Sequence, residues 1–197
     1  MHYTWLGHSI FLITNDAGGR LVTDPADEKS IPVLPRVTAD VVTVSHRHHD
    51  HCAVERIGGD PVIKENPEPE TLAGFSIRGY SVFHDEVKGA KRGPNTIFVI
   101  AADGARIVHC GDLGHIPDEQ TIAAIKGCDV LLLPVGGVYT IDGKTAWKVA
   151  KRIAPKTVVP MHYQTPDLGF SLDPIEPFLA AAKADPAPVS IDVPVRG

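Results

Sequence analysis

The sequence predicts a mixed α/β fold, and three observations predict it. Short apolar runs punctuated by Gly, Pro and Asp fill the first half of the chain. Helical and β-branched stretches alternate in the second half, and a dense His/Asp cluster follows directly on a buried strand. The chain has 197 residues, 43% of them hydrophobic and 22% charged. Those values suit a single domain, residues 1–197, with a sizeable core.

Each element has its own signal. Residues 9–14 and 20–23 are apolar runs around Asn15-Asp16-Ala17-Gly18-Gly19, a hairpin turn. Residues 41–44 are β-branched throughout, as in a strand covered on both faces, and run straight into the histidine cluster. Residues 75–83 form a strand ending at His84. Residues 96–101 and 106–110 flank Asp103-Gly104, a two-residue hairpin signal, and the second of these strands leads into Gly111-Asp112. Asp118 caps a helix carrying Ile122 and Ile125 that stops at Gly127. Strands at 130–133 and 157–159 bracket a helix at 145–153, and the later strand opens into Pro160-Met161-His162. Asp173-Pro174 predicts the start of a last helix through Phe178 and Ala182, and the tail from Asp185 an extended segment.

Composition excludes some functions. A net charge of −5 provides no global attraction for nucleic acid or an anionic membrane. No stretch approaches the roughly 18 apolar residues of a membrane helix. The N-terminal residues lack the basic start and apolar block of a secretory signal, so a cytoplasmic location is the expectation. Three cysteines without a Cys-x-x-Cys pair argue against a disulfide framework or zinc knuckle. Cys110 and Cys128 read as buried thiols, and Cys52, beside His51, as packing. No feature of the sequence predicts the oligomeric state.

The chain contains ten histidines, and their clustering decides their meaning. His46, His48, Asp50 and His51 occupy four of six successive positions after a strand end, a rigid support for converging side chains. Imidazole nitrogen and carboxylate oxygen are good donors for zinc and other divalent first-row metals. The competing account is a solvated polar loop, which does not explain four such donors in so short a space.

The His46-x-His48-x-Asp50-His51 pattern resembles the signature of the metallo-β-lactamase superfamily. Asp24, His84, Asp112 and His162, each at a strand end, match its remaining motifs in order. Trp5-Leu6-Gly7-His8-Ser9, Gly111-Asp112-Leu113-Gly114-His115, Pro134-Val135-Gly136-Gly137 and Pro160-Met161-His162-Tyr163 are similar to the branch of metal-dependent hydrolases related to ascorbate-6-phosphate lactonase. The resemblance implies a four-layer αβ/βα sandwich with two divalent metal ions at one edge, zinc first, with manganese or iron as alternatives. It implies a first ion on His46, His48 and His84, a second on Asp50, His51 and His162, and Asp112 as the bridge. Asp50, Asp112 and His115 are then the expected catalytic residues. The implied reaction is attack of a metal-bound hydroxide on an ester-like bond of a small anionic substrate, a phosphodiester or a phosphorylated lactone.

Three departures narrow the branch. True metallo-β-lactamases have no aspartate where Asp112 stands, and diiron flavoproteins of this fold carry glutamate where His48 stands. The short stretch between Asp112 and His162 leaves no room for the inserted domain of processing nucleases. A nuclease or cyclic-nucleotide phosphodiesterase, and a non-catalytic metal-binding protein of the same fold, are the competing functions.

Several residues have two readings. Asp24 either orients a ligand from behind or forms an Asp-Pro turn. His8 is either a proton donor facing substrate or a satisfied structural histidine. His115 reads as a proton donor by its closeness to Asp112, His109 as structural, and His49 as the motif's spacer. Gly136-Gly137-Val138-Tyr139-Thr140 either turns backbone amides toward a substrate anion or is an ordinary turn. Lys88, Lys91 and Arg92 either receive a phosphate or carboxylate or lie in a solvated loop.

Overall fold

The computed structural model describes residues Met1–Gly197. Strands β1 (His2–Gly7), β2 (Ile10–Thr14), β3 (Arg20–Thr23), β4 (Thr38–Thr43) and β5 (Gly58–Lys64) form one sheet in that spatial order. The β1–β2 and β2–β3 pairs are antiparallel, and β3, β4 and β5 run parallel. Successive side chains of a strand point to opposite faces, and here both faces are covered. Phe11, Ile13, Leu21 and Val41 face a core of 34 buried residues, while Ile10, Val22 and Val42 face a second core of nine. The β-branched run at 41–44 thus has a physical origin, since all four residues are buried. The smaller core is closed by Ala26, Ile31 and Ile57, so this outer layer is loop and a short 3-10 turn at Val54–Arg56 rather than a long helix.

The second sheet contains β6 (Glu70–Leu72), β7 (Phe75–Phe83), β8 (Pro94–Ala102), β9 (Ala105–His109), β10 (Val130–Pro134), β11 (Thr157–Met161) and β12 (Ser190–Ile191). Its order is β12-β11-β10-β9-β8-β7-β6. The strands from β6 to β9 are antiparallel, and Asp103 and Gly104 both take positive φ in the β8–β9 hairpin, as its two-residue turn requires. From β9 to β12 the strands are parallel, and parallel neighbours need crossovers. Helices α1 (Glu119–Ile125), α2 (Gly143–Ile153) and α3 (Glu176–Ala184) supply them. Their buried residues, among them Ile122, Trp147 and Phe178, join the large core, which therefore spans both sheets and all three helices. No helix is long and apolar enough to cross a membrane.

The topology positions the site. β1 and β3 are both antiparallel to β2, and β4 is parallel to β3, so these three strands end at one edge of their sheet. β7 and β9 are both antiparallel to β8, and β10 and β11 continue parallel to β9, so these strands share an edge too. The chain leaves those ends at His8, Asp24, Val44, His84, Cys110 and His162, and each exit or the turn that follows it brings a side chain to one cluster, described below.

Two helix starts show what a cap does. Asp118 and Asp142 each accept a backbone N–H bond, from Thr121 and Thr145, at 2.7 Å. Asp142 therefore starts α2 two positions before the expected 145. The expected cap at Asp173 is corrected by the structure. α3 begins at Glu176 after Ile175 with no side-chain cap bond, and the backbone of Asp173 bridges Gly136 and Gln164 instead. Asp118→Ala should cost about 1 kcal/mol in urea unfolding, and Asp142→Ala the same, the usual value of a lost N-cap. A loss below about 0.3 kcal/mol, within the range of an ordinary surface change, would remove the capping role.

Candidate metal centre

The seven sequence-predicted donors come together. The side-chain ligand atoms of His46, His48 and His84 lie within 4.8 Å of one another, and so do those of Asp50, His51, His162 and His8. Asp112 stands between the groups. Its carboxylate is 3.8 Å from His46 Nε2 and 3.1 Å from His84 Nε2 on one side. On the other it is 3.2 Å from both His51 Nε2 and His162 Nε2.

The donor chemistry fits divalent metal. His51 Nε2, His162 Nε2 and Asp112 Oδ1 are buried and have no hydrogen-bond partner in spite of their short separations. Buried polar atoms left unpaired are costly, and atoms that converge without hydrogen-bond geometry satisfy themselves by sharing a cation. Burial lowers the His46 imidazole to about 3, helped by repulsion from His51 and only partly offset by Asp112, and it lowers His48 in the same direction. Both rings are therefore neutral lone-pair donors at neutral pH. Burial works to raise the Asp112 carboxyl, but His162 and His51 outweigh it and hold it well below the usual carboxylate range. Around His51 burial is again outweighed, here by Asp112, Asp50 and Asp24, whose convergence demands positive charge at this point.

Local supports hold the donors. Asp24 accepts from Ser45 N at 2.8 Å and meets His51 Nδ1 at 3.0 Å, which leaves His51 Nε2 to face the cluster. Its role is therefore to orient His51, beyond any turn-forming one. Asp24, His8 and His162 are non-glycine residues with positive φ, a conformation that persists only where surroundings enforce it. Gly111 takes φ +52°, and a Cβ there would sit 2.4 Å from Asn95 Oδ1 and 2.6 Å from Ser45. Gly136 packs so closely on the strand end of β11 that a Cβ would lie 2.1 Å from the His162 carbonyl oxygen.

His8 was open in the sequence, and the structure gives it a place. It is buried, its Nε2 is 3.2 Å from Asp50 Oδ2, and its ring lies 4.4 Å from that of His162. Asn95 gave no sequence signal beyond a strand edge. Its side chain accepts from Asp112 N at 3.0 Å and donates to Cys110 O at 2.9 Å, a latch on the turn that presents Asp112. Asp85 was also missed. It accepts backbone N–H bonds from Val87, Gly89, Lys91 and Arg92. Burial opposes its ionisation, yet these four bonds hold the carboxyl at about 2.

The structure moves one expected residue away from the cluster and closes two open readings. His115 lines a separate cavity with Phe83, Ile116 and Asp118, outside the pocket over the donor cluster. Its Nε2 accepts from Phe83 N at 3.1 Å and its Nδ1 meets Ile116 O at 2.9 Å, so both nitrogens are engaged by backbone away from the donor cluster. The Gly136–Thr140 loop spends the amides of Gly137, Tyr139 and Thr140 on its own carbonyls and on Ile141, so those three do not face a ligand. Of the basic cluster, Lys91 pairs with Glu86. His49 is exposed and 3.4 Å from Asp27, as fits a spacer, and His109 is buried on Ser9 O at 2.9 Å, as fits a structural residue.

The pocket has a volume of about 400 Å³ and is lined by His48, His49, Asp50, His84, Arg92, Asp112, Tyr139 and Phe170. That size suits a small molecule. Asn95→Ala leaves every predicted donor in place but releases the Asp112 turn, so metal affinity should fall about 10–100-fold, as when a ligand loses its hydrogen-bonded support. Competition titration against a chelating dye measures this, with circular dichroism to confirm folding. Unchanged affinity would make Asn95 a packing residue only.

Comparison with known proteins agrees with this geometry. Residues 2–162 match the model of the Beta-lactamase superfamily domain. A UPF0173 metal-dependent hydrolase from Methanoculleus marisnigri is 34% identical over 190 residues, covering 84% of this chain and 82% of the relative. One from Archaeoglobus fulgidus is 31% identical over 221 residues, with 93% and 91% covered. A Thermotoga maritima crystal structure, described as a Zn-dependent hydrolase of the metallo-beta-lactamase superfamily, superposes with a TM-score of 0.75. It is 39% identical, with 90% of this chain and 84% of that chain covered. With these likenesses and this cluster, the chain belongs to the beta-lactamase superfamily, among its UPF0173 metal-dependent hydrolases.

Proposed function

We propose that this metal-dependent hydrolase is dinuclear and cleaves an ester-like bond, a phosphodiester or a phosphorylated lactone, in a small anionic molecule. The observation that carries the reading is Asp112, one carboxylate within 3.1–3.8 Å of four imidazoles drawn from two donor groups. His46, His48 and His84 would hold one ion, Asp50, His51 and His162 the other, with Asp112 common to both. Nitrogen and carboxylate donors favour zinc, with manganese or iron as alternatives. Ions bound there would supply Lewis acidity and lower the pKa of water.

The chain's own residues do the rest. Asp24 keeps His51 Nε2 directed inward through its contact with Nδ1. Asp50 lines the pocket and is braced by His8 at 3.2 Å. Burial works to raise its carboxyl, but His51 and His8 outweigh it and hold the group well below the usual range, so it faces the site as an anion. Tyr139 and Phe170 form the apolar part of the wall and limit water beside the reacting bond. A nuclease would need a basic track for the backbone. The net charge of −5 and the pairing of Arg47 with Glu65 and of Lys91 with Glu86 argue against one. A purely metal-binding role would not require an open pocket over the donors.

Metal-loaded protein should contain close to two equivalents of metal per chain by elemental analysis. Asp112→Ala should lower that content and abolish turnover of phosphodiester and lactone substrates even with excess metal. Saturation of the wild type at one equivalent, or near-normal turnover by Asp112→Ala, would end the dinuclear reading.

A further inference from the structure

The basic run after His84 separates in space. Asp85 gathers the loop around one carboxylate, with Oδ1 accepting from Val87 at 2.9 Å and Gly89 at 2.8 Å, and Oδ2 from Lys91 at 2.9 Å and Arg92 at 2.7 Å. A loop wound in this way sends its three cations to three places. Lys88 lines the outer cavity beside His115 and Asp118. Lys91 is paired with Glu86. Arg92 turns to the donor cluster, where it lines the pocket with Asp112 and Asp50 and also the adjoining cleft of about 410 Å³ with His46 and His48.

Arg92 is fixed there without an acidic partner. Its Nη2 donates to Val138 O at 3.2 Å, and its guanidinium lies 5.6 Å from the centre of the Tyr139 ring. Those contacts orient the planar group and leave most of its five donors unspent. Nearby Asp112 and Asp50 stand among histidines at 3.1–3.3 Å, and neither pairs with Arg92. Tyr139 meets Phe170 edge to face at 6.1 Å, so the cation borders an aromatic wall. A guanidinium of this kind recognises a planar or tetrahedral oxyanion through paired hydrogen bonds.

We propose that Arg92 is the substrate-recognition residue of the pocket, binding a carboxylate or phosphate group remote from the bond that is cleaved, with a flat or apolar substrate body against Tyr139 and Phe170. This inference rests on the hydrolase reading of the pocket and narrows its substrate class. The charge on the substrate is then a recognition handle, distinct from the reacting group over His46, His48 and Asp112. Arg92 acts on binding, and its neighbours at the donor cluster act on the bond.

Matched esters test it. Methyl phenyl phosphate and phenyl butyrate, each with its para-carboxy counterpart, differ only by a charge at the far end of a flat body. Metal-loaded wild-type protein should prefer the para-carboxy member of a pair, mainly through KM. Arg92→Gln should reduce that preference about 10–100-fold, the scale of a lost charge-assisted contact. Arg92→Lys, with charge but no fork, should restore part of it, and elemental analysis should show unaltered metal content in both variants. Equal losses for both members of a pair, or no preference in the wild type, would overturn the role of Arg92. If neither scaffold is turned over, the ester-cleavage reading fails. Calorimetric titration of the same proteins with benzoate then still decides the role of Arg92, since binding equal in wild type and Arg92→Gln overturns it.

Discussion

The Asp112 carboxylate lies buried at a point where four imidazole nitrogens approach within 3.1–3.8 Å, and much of the surrounding architecture follows from that charge. An isolated carboxylate at that depth is prohibitively costly and requires compensation by cations or converging donors. The compensation comes from segments distant in sequence, the end of β4 in the first sheet and the ends of β7 and β11, which share an edge of the second sheet with β9. Stability and chemistry are therefore coupled, because groups that neutralise Asp112 are the ones available to hold metal.

Holding several donors at one point requires support from behind. Asp24 ties β3 to Ser45 and His51, and Asn95 ties β8 to the turn carrying Asp112. Gly136 lets the end of β10 approach the carbonyl of His162 more closely than any side chain would permit. Positive φ at His8, Asp24 and His162 shows where the backbone is bent away from its relaxed conformation at the site. Rigid strand ends and a dense core underneath, including Phe98, Leu132 and Val159, keep these strained exits in place.

The substrate side of the pocket is built differently, from loops. The Asp85-centred loop, the Gly136–Thr140 turn and the segment carrying Phe170 each contribute one principal group: Arg92, Tyr139 or Phe170. Placing metal donors on strand ends and recognition groups on loops allows the second set to vary without disturbing the first. It also explains why family membership identifies the hydrolase more readily than its substrate.

The strand-and-helix pattern, the His46–His51 cluster and the Asp103-Gly104 hairpin were legible because each depends on neighbours in sequence. Periodicity, capping residues and turn chemistry act over a few positions, and Asp118 starts its helix wherever the chain goes. His84, Asp112 and His162 could be named through resemblance, yet their convergence depends on which strands pair and in which direction. β1 and β5 escaped notice because the first lies in a mixed-polarity run and the second, Gly58–Lys64, has turn-like composition and is largely exposed. His115 differs for a tertiary reason: closeness to Asp112 in sequence says nothing about facing, and the ring meets backbone at Phe83 and Ile116. By itself the sequence determined which local elements form and which donor types are present. Tertiary structure alone decided that His8 and Asn95 join the site, that Lys91 leaves it and that Arg92 stays, because burial, pairing and direction are properties of segments brought together by sheet topology.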